Sequence, residues 1–232
     1  MPFRNWINSL NNAIDGILHT AKTERHLRYH LYAAASVLII SFILGINRYE
    51  FIFISILASI VILAEMINTA IENTVDLLSP EKRETARHAK DIAAGAVLIT
   101  AFAAAVIGYF ILAPYIEKAF EKGLTVAKHT PEDITIVAVT IVLISVLLIK
   151  SYIGKGKPLK GGLPSGHAAL AFSVWLSITY ITKNFIASLL SFLLAVIIAQ
   201  NRVATKTHNA LEVTTGAIMG IAITFLLFYI FS

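Results

Sequence analysis

Seven stretches of this chain contain no Asp, Glu, Lys or Arg: residues 31–47, 51–64, 92–116, 134–149, 166–182, 184–200 and 213–232. A helix that crosses a bilayer needs about 20 largely apolar residues, and slightly shorter runs suffice where long polar side chains snorkel at the ends. The runs are continuous rather than alternating, which excludes membrane-spanning strands. With 57% hydrophobic and only 14% charged residues, the expected fold is an all-α integral membrane protein. Seven spans are predicted, three before residue 120 and four after it.

The charges that remain fall between the runs, and they orient the chain. If the N-terminus is cytoplasmic and every run crosses once, fourteen of the 19 Lys and Arg residues lie on the inside and five on the outside. Positively charged loops stay cytoplasmic, so this orientation is favoured over its inverse, with the C-terminus outside. The implied location is a cytoplasmic membrane. The net charge of +5 suits a surface rich in anionic lipid. The basic residues are dispersed among span ends, which gives nucleic-acid binding no support. There is no cysteine, which excludes disulfides and thiolate chemistry.

Ahead of the first span, Phe3, Trp6, Ile7, Leu10, Ile14, Ile17 and Leu18 recur at helical spacing, opposite a polar face. That pattern suits a helix lying in the membrane interface, or one packed on protein. Glu117 to Asp133, interrupted by Gly123 and Pro131, is the longest polar connection between late spans. It divides the chain into an N-terminal unit (1–122), an extracytoplasmic linker (123–133) and a C-terminal unit (134–232).

The first unit carries an unusual stripe. At 100° per residue, Glu65, Asn68, Glu72 and Asp76 fall within an arc of roughly 80°. An intramembrane carboxylate costs roughly 2.5–3.5 kcal/mol by insertion scales, so three on one face mark a candidate site. Glu24, before the first span, and Lys90-Asp91, at the start of the third, fall at the same membrane surface. Carboxylates with a lysine there suit a magnesium-bound nucleotide, because Mg²⁺ takes one or two carboxylates plus substrate phosphates. A bundle held by polar contacts and a proton relay are the competing readings.

Glu65-x2-Asn68-Thr-Ala-x-Glu72-x3-Asp76, followed by Ala86-Arg87-x2-Lys90-Asp91-x2-Ala-Gly-Ala-Val, resembles the small prokaryotic diacylglycerol kinase/undecaprenol kinase family over residues 1 to about 120. The resemblance implies that Glu65 is the catalytic base and that Glu24 and Glu72 hold Mg²⁺ on ATP. It implies that Lys90, Asp91 and the turn Glu81-Lys82-Arg83 contact the nucleotide, with Asn68 and Asp76 supporting the site. Thr23-Glu24-Arg25-His26-Leu27-Arg28-Tyr29-His30 is closer to the undecaprenol kinase branch, which favours a polyprenol over diacylglycerol. The resemblance also implies a homotrimer.

In the second unit Pro164-Ser165-Gly166-His167 opens the fifth span, with Lys150 and Lys157-Pro158 before it and Arg202, His208 and Glu212 after it. Cations beside a helix N-terminus make a phosphate cradle, and two histidines can divide attack on phosphorus from protonation of the leaving oxygen. Glu212, four residues after His208, is placed to hold its imidazole. Taken singly, the lysines also fit ordinary positive-inside residues. As a set these residues resemble the type 2 phosphatidic acid phosphatase superfamily, whose K-x6-R-P, P-S-G-H and S-R-x5-H-x3-D motifs read here as Lys150-x6-Lys157-Pro158, Pro164-Ser165-Gly166-His167 and Asn201-Arg202-x5-His208-x3-Glu212. The resemblance implies His208 as the nucleophile, Glu212 as its orienting group and His167 as general acid. Lys150, Lys157, Ser165, Gly166 and Arg202 would hold the phosphate, and no metal is implied. Lys157 stands for an arginine, Glu212 for an aspartate and Asn201 for a serine, and four spans stand where the superfamily commonly has six.

Together these readings predict a bifunctional lipid enzyme with both sites on the cytoplasmic side. It would phosphorylate a lipid alcohol with ATP and dephosphorylate a lipid phosphate or diphosphate. The alternatives are a kinase with a lipid-phosphate-binding C-terminal half, and a small proton-coupled transporter or scaffold.

Overall fold

The computed structural model describes residues 2–81, 83–153 and 162–232; of residues 2–8 and 10 it describes the backbone alone. Lys82 and Lys157 therefore lie outside the described residues, as do the side chains of Phe3, Trp6, Ile7 and Leu10. The described residues form eight α-helices: α1 (Pro2–Thr23), α2 (Arg25–Leu44), α3 (Arg48–Leu78), α4 (Glu84–Lys122), α5 (Pro131–Ile153), α6 (Gly166–Thr182), α7 (Phe185–Ala204) and α8 (Ala210–Phe231). Six of them, α2 to α5, α7 and α8, are long and apolar enough to cross a membrane. The run at 166–182 forms α6, which at 17 residues sits at the lower end of spanning length. Lys183, in the left-handed region at φ 48°, ends it. The chain packs as two units, residues 23–127 and residues 1–22 with 128–232.

In the unit of residues 23–127, α2, α3 and α4 form a three-helix bundle. Gly45 ends α2 at φ 65°, and its amide and that of Ile46 return to Phe42 O and Ser41 O. Glycine takes this left-handed turn without a Cβ penalty. Asn47 and Glu50 then form a reciprocal capping box at the start of α3 (3.0 and 3.1 Å), satisfying two otherwise orphaned amides. Tyr115 of α4 donates to the same Glu50 carboxylate at 2.6 Å, tying the α3–α4 pair together at this end. Both helices outrun their apolar stretches. α4 has 39 residues, or about 58 Å at 1.5 Å per residue, roughly twice the hydrocarbon core. The polar extensions at the far end carry Asp76 and Lys90.

In the other unit α6 is central, packed on α5, α7 and α8. Its contact with α8 is built from small residues at four-residue spacing. Gly216 lies against the Ser165 backbone and Gly220 against that of Ala169, and Ser173 Oγ meets Thr224 Oγ1 at 2.7 Å. Small side chains let helix backbones approach where lipid supplies no hydrophobic drive. At the end of α8, Lys128 donates to Ser232 O (2.7 Å) and Ile230 O (3.2 Å), and the His129 amide to Phe231 O. α1 belongs to this unit, with Leu18, Thr20 and Ala21 buried.

Candidate active sites

In the unit of residues 23–127 the polar stripe of α3 runs from buried to exposed. Glu65 is 5% exposed and Asn68 9%, Glu72 is half-buried and Asp76 exposed. Asn68 Nδ2 donates to Glu72 Oε1 at 2.9 Å, which turns the Asn68 carbonyl oxygen away from it. That oxygen is buried and has no hydrogen-bond partner among the described residues. Glu24 caps the N-terminus of α2 without using its side chain on the backbone, so its carboxylate remains for other work. Glu24, Glu72, His26 and His30 all lie within electrostatic reach of Glu65.

At the outer end of the stripe Lys90 Nζ donates to both oxygens of Asp76 at 2.9 Å, and it also lies within electrostatic reach of Glu72. Asp91, the next residue on α4, is exposed. On the turn between α3 and α4, Arg83 pairs with Glu81 at 2.9 Å; both are exposed. The structure thus gathers Glu24, Glu65, Asn68 and Glu72, links Lys90 and Asp76 to their rim, and leaves Glu81 and Arg83 paired with each other. Among the described residues no three His, Asp or Glu side chains form a complete metal cage. The buried, unpaired Asn68 oxygen is an acceptor of the kind that fits a hard cation, which takes its remaining ligands from carboxylates, phosphate and water, as Mg²⁺ does.

The second site is built where α5, α6 and the α7–α8 connection meet. His208 was expected to share a helical face with Glu212. It instead precedes Asn209, the N-cap of α8, so it stands outside that helix. The pair forms all the same, through the cap. Glu212 Oε2 accepts from His208 Nδ1 (2.8 Å) and from the Asn209 amide (3.2 Å), while Oε1 accepts from the Gly162 amide (2.9 Å). The His208 amide and the Thr207 amide and hydroxyl return to Arg202 O (2.9–3.2 Å), folding the connection back on the end of α7. Burial pushes the His208 pKa below its ordinary value, against the opposing effect of the hydrogen bond its ring donates to Glu212.

His167 lies within electrostatic reach of Arg202, His208 and Lys150. Lys150 is buried in the last turn of α5 at 7% exposure. Ser165 is the N-cap of α6, yet its hydroxyl makes no cap bond. That hydroxyl and Arg202 Nε are both buried without a hydrogen-bond partner among the described residues. Gly166 opens the helix, whose first-turn amides have no partner within it. A fully buried N-cap hydroxyl and a guanidinium N–H, both unpaired among the described residues, with a helix start near a lysine and two histidines, suit an anion.

The profile of the family described as "Prokaryotic diacylglycerol kinase" matches residues 11–112, and that of the "PAP2 superfamily" matches residues 94–232, overlapping along α4. An undecaprenol kinase of Bacillus subtilis is 41% identical over 99 residues, which cover 43% of this chain and 80% of that protein. The chain belongs to both families. It joins a lipid kinase unit to a lipid phosphatase unit. A diacylglycerol kinase of Synechocystis is 32% identical over 47% of this chain and 63% of its own length, and one of Haemophilus influenzae 29% over 40% and 79%. No solved structure matches the chain.

Several residues at these sites escaped the sequence reading. His26 and His30 stand four residues apart on α2 and signal one helical face, but their approach to Glu65 crosses between helices. Gly162 and Asn209, which hold Glu212, carry no motif signal beyond the Asn-x-x-Glu capping pattern at 209–212. Gly216 and Gly220 had a signal in their four-residue spacing.

Proposed function

We propose that this protein is a bifunctional membrane lipid enzyme that phosphorylates a lipid alcohol with ATP and dephosphorylates a lipid phosphate or diphosphate. Undecaprenol is the favoured alcohol, in keeping with the Bacillus relative and the Thr23–His30 segment. The observation that carries the two-site reading is the coincidence of motif residues with buried polar atoms left unpaired in each unit: Asn68 Oδ1 in one, Ser165 Oγ and Arg202 Nε in the other. An unpaired buried polar atom costs about 1–3 kcal/mol, and a ligand that satisfies it recovers that cost.

In the kinase unit Glu65 takes the proton of the lipid hydroxyl as its oxygen attacks the γ-phosphorus of ATP, and ADP leaves. Glu24 and Glu72 would hold Mg²⁺, which neutralises phosphate charge. Lys90, Asp91 and the Glu81–Lys82–Arg83 turn contact the nucleotide, with Asn68 and Asp76 in support. By analogy with the family, the kinase units assemble as a homotrimer.

In the phosphatase unit Glu212 accepts the Nδ1 proton of His208, leaving Nε2 free to attack phosphorus. The P–Nε2 bond forms, the bond from phosphorus to the leaving oxygen breaks, and His167 gives that oxygen a proton. Water then cleaves the phosphohistidine, with His167 as base, releasing phosphate. Lys150, Lys157, Ser165, Gly166 and Arg202 hold the phosphoryl oxygens. The domain division at 123–133 and a cytoplasmic location for both sites complete the reading, the latter from the charge distribution.

Purified protein in defined lipid tests both halves at once. ATP-dependent phosphorylation of undecaprenol is expected to vanish in Glu65→Gln and survive in His208→Ala, while phosphate release from undecaprenyl diphosphate shows the reverse. A variant that retains its own activity overturns that site.

A further inference from the structure

The kinase unit contains a cavity of about 220 Å³ between α2, α3 and α4. Its walls are almost wholly apolar and unusually small: Ala34 from α2, Ala58 from α3, and Ala101, Ala105 and Gly108 from α4. It is open along one side. From Val61 to Ile54, both on its wall, the helix advances about 10 Å at 1.5 Å per residue. A small-residue wall alone means only that helices pack closely. Here the wall stands away from its neighbours and ends at the site already described. Val61 lies one turn from Glu65, and His30, the one ionisable side chain of the lining, is within electrostatic reach of that carboxylate.

We propose that this groove holds the first segment of the hydrocarbon chain of a single-chain lipid alcohol, with His30 and Glu65 at the end that receives the hydroxyl. The assignment rests on the kinase reading above. A volume below the roughly 300 Å³ of a small-molecule pocket accepts part of one chain and leaves the remainder in lipid. Two acyl chains joined at one glycerol do not both enter it. Alanine and glycine walls leave room for the methyl branches of an isoprenoid, which Leu or Phe at the same positions would exclude.

The chain has no cysteine, which permits a direct test. Ala105→Cys, and as a control the lipid-facing Phe102→Cys, are made in a Glu65→Gln background to prevent turnover. Each is reconstituted in nanodiscs and labelled with a membrane-soluble maleimide. Undecaprenol is expected to slow labelling at position 105 by about tenfold and to leave position 102 unchanged, whereas dioleoylglycerol protects neither. Separately, Ala105→Phe in the otherwise native chain should raise KM for undecaprenol by about tenfold or more, as displacement of a few buried CH₂ groups requires, with KM for ATP unchanged. Unprotected labelling at 105 in a protein whose native form phosphorylates undecaprenol overturns the groove and leaves the kinase reading standing. A native protein that phosphorylates no lipid alcohol overturns both. Equal protection by dioleoylglycerol refutes the single-chain selectivity. Protection that rises with protein density without any alcohol assigns the groove to a second copy of the chain and overturns the proposal.

Discussion

Replacing Glu212 by glutamine exchanges one carboxylate oxygen for an amide NH₂ where every partner is a donor. Oε2 receives the His208 ring and the Asn209 amide, and Oε1 receives the Gly162 amide. Whichever way the new amide turns, its NH₂ faces at least one N–H. If its oxygen stays on Gly162, His208 must present a bare Nδ1, and the ring proton moves to Nε2. That tautomer cannot attack phosphorus. The lost charge-assisted hydrogen bond is worth about 1.5–3 kcal/mol, and a mis-set tautomer in a comparable orienting pair costs on the order of 10⁴ in kcat. Phosphate release by Glu212→Gln should therefore fall by about 10³–10⁴ in kcat with KM little changed, and the phosphoenzyme should no longer be trapped. Kinase turnover of the same preparation is the internal control for folding. Asn209→Ala separates positioning from capping. It removes the N-cap, at a cost of about 1 kcal/mol, but leaves the His208–Glu212 pair, so thermal stability drops while kcat holds. Near-native phosphate release by Glu212→Gln, or an equal kcat loss in Asn209→Ala, would refute the orienting role.

The acid limb of phosphatase kcat/KM should lie below pH 6.5, because burial holds the His208 pKa under its ordinary value. His208 attacks as the neutral ring, so activity present above that depressed pKa is lost as pH falls through it. Glu212→Gln, which removes the hydrogen bond that favours the protonated ring, should move the limb lower still in whatever activity remains. Gly220→Ala places a Cβ against the Ala169 carbonyl group, with its carbon at 2.9 Å. Overpacking of this kind costs about 1–3 kcal/mol, read as a lower melting midpoint and lost phosphate release with kinase turnover retained. Lys90→Gln should raise KM for ATP with no loss of thermal stability, because its ion pair with Asp76 is exposed and such pairs contribute little. Single cysteines at Glu81 and Thr205 should both resist an impermeant thiol reagent in intact cells; labelling of either places that connection outside.

What could be read without coordinates was what local periodicity carries. The apolar runs fixed the helices, and the spacing of Glu65, Asn68 and Glu72 placed them on one face, where the Asn68–Glu72 bond now stands. The polar stripe carried α3 past its run to Asp76, but nothing revealed that α4 extends from Glu84 to Lys122, because charged residues on a helix that leaves the bilayer resemble those of a loop. Contacts between helices were equally hidden. Nothing near Glu65 in the sequence points to His30, and Gly162 meets Glu212 across fifty residues. The His208–Glu212 contact was expected for a helical reason and forms for a capping reason. The extra methylene of glutamate over aspartate therefore gains a use: at the N3 position of a capping box it reaches back to both the Asn209 amide and the imidazole.

Unpaired buried polar atoms are the observation that ties motif to chemistry, and their value depends on company. Ser41 and Ser177 also hide unpaired hydroxyls, but neither belongs to the two motif sets; Ser41 lies in the last turn of α2 and Ser177 well inside α6. Asn68, whose Oδ1 is unpaired, shares its helix face with buried Glu65 and half-buried Glu72, and Ser165 Oγ and Arg202 Nε belong to a helix start and a connection near Lys150 and two histidines. A buried unsatisfied atom among charged side chains is costly to maintain without a ligand. At the motif residues alone, the kinase unit leaves an acceptor unpaired, Asn68 Oδ1, and the phosphatase unit a donor and a hydroxyl, Arg202 Nε and Ser165 Oγ. That division matches a cation-borne nucleotide in the first and a bare phosphate in the second.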